Sequence, residues 1–231
     1  MSNRPAGIAP APAPLLFDMD GVLIDNSAAY ARAWRAFLAE QRQTLAQPEY
    51  AAVRTFGRRN EELLPEVFGR AMPAEEIAHH AQRLEALYLR DYLPEMRETG
   101  GLSPFLVEAR RRGHRLALAT SAPRRNVGIV TTRLGLEDVF EVILSEADVR
   151  RGKPNPEIYL SAAARLGRPP ADCVVFEDSF PGIAAALAAG ARCVALATSY
   201  RPAEVAAAGA QLVVADFTAP ELRRWLGWDQ G

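Results

Sequence analysis

Short apolar runs alternate with longer amphipathic stretches through most of this chain. From residue 102 onward the strand-like runs are 115–120, 141–144, 172–177, 192–196 and 211–214, with segments of helical periodicity between them. Alternation of this kind predicts an α/β fold: a Rossmann-like parallel sheet with helices on both faces. The run LLFDMD at 15–20 predicts another strand of the same sheet, but the long segment after it carries only helical pattern. Residues 26–41 place Tyr30, Ala33, Trp34, Phe37 and Leu38 at helical spacing, behind Asp25, Asn26 and Ser27 as N-cap candidates. Residues 60–69 and 74–92 repeat that pattern.

A crossover between parallel strands needs far fewer residues than this. Residues 25–95 therefore read as an all-helical cap domain, inserted into an α/β core made of 15–24 and 96–231, where it can act as a lid. Residues 1–14 read as a disordered Ala/Pro tail without the apolar run of a signal peptide.

The 231 residues are 49% hydrophobic and 24% charged, ordinary for a globular protein, with a net charge of -1. No broad positive field is available to hold nucleic acid, and no stretch is apolar enough for a membrane span. Cys173 and Cys193 sit in β-like runs as small buried hydrophobes, which fits a cytoplasmic protein, either monomer or homodimer. His79, His80 and His114 read as solvated, and Trp34, Trp225 and Trp228 as packing residues.

In open parallel sheets ligands bind beyond the carboxyl ends of the strands, so polar residues there carry the most information. Four such places stand out. Asp18 and Asp20 follow the first strand, and alternation along an extended chain puts both carboxylates on one side, as a magnesium site requires. Gly21 then lets the chain turn. Thr120 and Ser121 offer hydroxyls and backbone N–H groups suited to a phosphoryl oxygen. Lys153 precedes Pro154 at the start of a later helix, and Glu177–Asp178 forms a second acidic pair. Of 27 Lys and Arg residues, Lys153 is the only lysine. A position that alone departs from Arg needs a compact ammonium that a planar guanidinium cannot replace.

The ordered set DMDGVLID, LALATSA, GKPNPEIY and VFEDSFPGIAAALAAG resembles the haloacid dehalogenase superfamily, in the branch of β-phosphoglucomutase-like and phosphoglycolate phosphatase-like enzymes. The resemblance implies a small phosphorylated substrate, a sugar or organic acid phosphate. Asp18 would be the nucleophile and Asp20 the general acid and base, while Thr120 and Lys153 hold the transferring phosphoryl group. Mg2+ would lie on Asp18, the backbone carbonyl of Asp20, Asp178 and Glu177. Gly57, Arg58 and Asn60 present polar groups for the rest of the substrate, although a solvated basic turn is the ordinary alternative.

Other activities of the superfamily call for different residues. Dehalogenases of this superfamily lack the second acid, so Asp20 speaks against them, and phosphonatases use a lysine that the insertion lacks. A mutase would use His, Arg and Lys where Tyr30, Asn60 and Leu84 align, which favours hydrolysis. A non-catalytic phosphometabolite-binding protein would keep the site as a sensor.

Overall fold

A computed structural model describes residues 11–41 and 58–229. Six strands form one parallel sheet in the order β3-β2-β1-β4-β5-β6. They are β1 (Leu15–Phe17), β2 (Leu116–Ala119), β3 (Val142–Leu144), β4 (Val174–Glu177), β5 (Arg192–Leu196) and β6 (Leu212–Val214). Each falls inside one of the runs read from the sequence.

The first strand stops at Phe17, short of the expected 15–20. Beyond it the chain folds back on itself, with Leu23 N donating to Met19 O at 2.8 Å and Gly21 N to Ile24 O at 2.7 Å. Asp18 still donates its N–H to Phe176 O on β4 at 3.0 Å, whereas Asp20 is placed by the tight loop and not by strand alternation.

Because β1 is central, Leu15, Leu16 and Phe17 are all buried, and the two faces of the sheet serve two separate clusters. Leu15, Phe17, Leu118, Phe176 and Val194 belong to one. Leu16, Ala117, Ala119, Val175 and Cys193 belong to the other. Over the first face lie α4 (Leu102–Arg111), α5 (Arg124–Leu134) and α9 (Pro220–Trp225); over the second lie α6 (Glu157–Arg165), α7 (Phe180–Ala188) and α8 (Pro202–Ala207). The second face is Ala-rich, so α6 and α7 can approach the strands closely. The first is aromatic: Phe17 stacks on Phe176 with centroids 4.7 Å apart and takes edges from Phe105 and Phe140.

Helices α1 (Ser27–Glu40), α2 (Asn60–Phe68) and α3 (Ala74–Tyr92) occupy the long segment after β1 and pack on one another. Trp34, Phe37, Leu63, Leu64, Leu84 and Leu87 are buried between them. His80 is buried here too, 5.6 Å from the Phe37 ring and 4.9 Å from that of Phe68. The expectation that it is solvated fails because its helical position faces the α1–α2 groove. His79, one residue earlier, is exposed.

His114 is also engaged: Trp228 Nε1 donates to its Nε2 at 3.0 Å, and its Nδ1 lies 2.7 Å from Ala13 O. The tail reading extends too far at its end, since Pro14 is buried and its carbonyl accepts from Val174 N at 2.9 Å. Residues 1–10, the rest of that reading, lie outside the described residues. Cys173 and Cys193 are buried and free.

Phe17 holds both the sheet centre and the aromatic cluster. Phe17→Ala is expected to cost about 3–5 kcal/mol of stability, measurable as a shift of the urea midpoint.

Candidate active site

The carboxyl ends of β1, β2 and β4 converge on one buried group of charges. Strand β1 is hydrogen-bonded to both β2 and β4, so residues immediately past their ends share one volume. Lys153 enters from the loop before α6 with its side chain fully buried. Its Nζ donates to Asp18 Oδ1 at 2.7 Å, to Glu177 Oε1 at 2.6 Å and to Ala119 O at 3.3 Å. Desolvation is the largest influence on this ammonium and favours its neutral form, but the two carboxylates together outweigh it and hold Lys153 protonated well above the usual range.

The carboxylates have unequal surroundings. Both oxygens of Glu177 are fully occupied: Oε1 accepts from Lys153 and Tyr159, and Oε2 from Asp178 N, Ser179 N and Ser179 Oγ. These donors keep Glu177 below the ordinary carboxylate range despite a burial penalty that acts the other way. Its carboxyl also leaves no room on α7, where a Cβ on Gly182 would meet its Oε1 at 1.8 Å.

Asp178 is the contrary case. Burial, with Glu177 and Asp18 adding, raises it well above the usual range, while the Ser199 hydroxyl donates to its carboxylate. Gly21, with φ +76°, lies so close that a Cβ there would meet Asp178 Oδ2 at 1.9 Å. Burial likewise pushes Asp18 up, against the pull of Lys153.

Oxygens of Asp18, Glu177 and Asp178 lie within 4.8 Å of one another. Three carboxylates against one ammonium leave two negative charges in a buried space, which fits a divalent metal ion. Because Glu177 is saturated by hydrogen bonds, Asp18 and Asp178 are the side chains with capacity left for such an ion.

Asp20 stands outside that group. Burial pushes its carboxyl up to about 6, while Asn26 Nδ2 donates to its Oδ1 at 2.6 Å. Asn26 is the residue before α1, as expected, but makes no side-chain cap; its amide goes to Asp20 and to Tyr88 instead.

A single pocket opens above these residues, lined by Asp18, Asp20, Thr120, Ser121, Arg58 and Asn60 among others. Thr120 is buried, and its hydroxyl accepts from Ala122 N at 3.1 Å, leaving its proton to donate. Arg58 lines the pocket but is ion-paired with Glu66 at 2.8 Å and Glu62 at 3.8 Å. Gly57 lies outside the described residues. Tyr30, Asn60 and Leu84, aligned earlier with mutase positions, all line this pocket.

Sequence reasoning missed Thr198 and Ser199, whose hydroxyls reach Gly21 O and Asp178. They follow β5 closely, so the strand-end rule applied there would have found them. Tyr159, Glu85 and Glu146 carried no signal of their own.

Fold, strand tips and motif order agree, and the chain belongs to the haloacid dehalogenase-like hydrolases, whose family pattern matches residues 15–190. A phosphorylated carbohydrates phosphatase of Thermotoga maritima is 33% identical over 176 residues, covering 76% of this chain and 81% of that protein. A beta-phosphoglucomutase of Bacillus subtilis is 31% identical over 189 residues, covering 76% and 79%. Among solved structures, a HAD hydrolase of family IA, variant 3, from Entamoeba histolytica aligns with a TM-score of 0.82 at 25% identity, over 95% of this chain and 100% of that one. No helix among the described residues is long and apolar enough to cross a membrane.

A divalent cation should stabilise the fold by about 2.7 kcal/mol at a hundredfold excess over its Kd, seen as a rise in Tm. In metal-free protein Asp178→Asn should raise Tm by removing a poorly compensated buried acid, and should abolish the cation-dependent rise. A cation response that survives in this variant counts against the assignment.

Proposed function

We propose that this hydrolase is a Mg2+-dependent phosphatase that cleaves a small phosphorylated metabolite through an aspartyl-phosphate on Asp18. The observation that carries the reading is the buried contact of Lys153 with both Asp18 and Glu177, beside Asp178 and beneath one pocket.

Asp18, Asp178 and the backbone carbonyl of Asp20 would hold Mg2+. When bound, the ion screens phosphoryl charge so that an anionic carboxylate can approach phosphorus. The remaining steps belong to side chains of this chain. Lys153 keeps its proton and fixes Asp18 through Oδ1, leaving the other oxygen to attack. Its weakest contact, 3.3 Å to the Ala119 carbonyl, is the one it can exchange for a phosphoryl oxygen. Thr120 supplies a hydroxyl proton, and the neighbouring Ser121 lines the same pocket.

Asp18 forms the new P–O bond as the ester P–O bond breaks, and Asp20 gives its proton to the departing oxygen. Asp20, now ionised, takes a proton from water as that water attacks phosphorus, which frees Asp18 and releases phosphate. A carboxyl held near 6 can serve in both protonation states at neutral pH. Asn26 and Tyr88 keep it directed into the pocket. Helices α1–α3 supply the far side of that pocket through Tyr30, Asn60 and Leu84, which supports the reading of residues 25–95 as a cap.

Hydrolysis is favoured over mutase chemistry because Tyr30, Asn60 and Leu84 stand where a mutase would need His, Arg and Lys to turn a sugar bisphosphate. Asp18→Asn should lower phosphate release by about 1,000-fold or more with the far-UV circular dichroism unchanged. EDTA should abolish activity and Mg2+ restore it. Undiminished turnover in Asp18→Asn rejects the mechanism, and glucose 6-phosphate as the main product from β-glucose 1-phosphate rejects hydrolysis.

A further inference from the structure

The pocket continues away from the strand tips, and its distal wall is acidic. Glu85 on α3 and Glu146 after β3 line it together with Asn126 on α5. Both carboxyls are partly withdrawn from water. Burial pushes Glu146 up to about 7, with Glu61 and Glu85 adding and Arg59 opposing. Burial also raises Glu85, with a hydrogen bond to Asn126 opposing, Asp20 adding and Arg125 opposing.

Two nearby cations, Arg58 and Arg59, are already used, while Arg125 is exposed and outside the pocket lining. Arg58, the only guanidinium among the described lining residues, is paired with Glu62 and Glu66. Arg59 Nη2 donates to the carbonyls of Glu146 and Val149 at 2.6 and 2.9 Å.

Two acceptors on this wall are unmet. Asn126 is 6% exposed, and among the described residues neither its Oδ1 nor Glu85 Oε1 has a hydrogen-bond partner. A buried acceptor left unmet is costly, and a ligand that donates to it recovers that cost. A ligand carrying a second anion would instead meet two carboxylates in a space of low dielectric.

We propose that the group leaving from phosphate is rich in hydrogen-bond donors and bears no second anion, with an amino-polyol preferred to a neutral polyol, and both to a carboxylate or second phosphate. This rests on the phosphatase reading and narrows it. An ammonium placed between Glu85 and Glu146 restores both to their ionised forms, and hydroxyls satisfy Asn126.

Phosphate release by the full chain with Mg2+, from glucosamine 6-phosphate, glucose 6-phosphate and 6-phosphogluconate, tests the order on esters of one carbon length. The value of kcat/KM should fall in that sequence, by about tenfold or more between the ends. Glu85→Gln and Glu146→Gln should each narrow that range by about threefold or more. An equal or higher kcat/KM for 6-phosphogluconate in the unaltered protein overturns the proposal, whatever the variants do. Release from p-nitrophenyl phosphate combined with a preference for the anionic ester overturns it alone. No release from any of the four esters overturns it together with the phosphatase reading.

Discussion

A single buried ammonium decides how this molecule is built at its working end. Lys153 is enclosed between carboxylates from β1 and β4, and none of the three groups could remain charged there without the others. Glu177 shows what that requires: five donors converge on its two oxygens, and α7 leaves it a niche at Gly182. Such saturation fixes Glu177 as the anchor that aims Lys153. Asp178, bonded by the Ser199 hydroxyl and pressed against Gly21, is the charge left over. A site with one carboxylate fully satisfied and its neighbour under-satisfied is already shaped for a cation.

The sheet order makes the convergence unavoidable. With β1 between β2 and β4, the groups after Phe17, Ala119 and Phe176 cannot avoid meeting, although they come from distant parts of the sequence. The stacked pair Phe17–Phe176 lies directly beneath, so packing and chemistry share the same two strands. The rest of the pocket wall comes from different elements, α1, α3 and the turn after β3, which contribute Tyr30, Leu84, Glu85 and Glu146.

Most of this frame was legible in the residues. The central strands β1, β2 and β4 are legible because fully buried parallel strands read as unbroken apolar runs, the edge strands because their runs are apolar too, and Lys153 declares itself as the one lysine in an arginine-using chain. What failed did so for lack of a local signal. The end of β1 was set too late because a loop closed by Met19 and Gly21 reads like an extended run. Asn26 reads as a cap in sequence, although tertiary contact assigns its amide to Asp20. His80 looked solvated because only the packing of α1 and α2 reveals which side of α3 is covered. Glu85 and Glu146 are common residues in unremarked positions, and only the fold brings their carboxyls to one wall.

At the opposite end of the sheet a different histidine performs a smaller task. The His114 ring spans Ala13 and Trp228, using one nitrogen for each. Burial, opposed by the Ala13 contact and aided by Arg112, lowers its affinity for a proton, so neutral imidazole is the form that the fold selects. That contribution is complete above the ordinary histidine value of about 6.5 and disappears as acid protonates the ring, because Nε2 then has no lone pair for the indole. Mild acidification would therefore unfasten the first strand's leader and the last helix's trailing turn in one event, at the end of the sheet away from the strands' carboxyl tips.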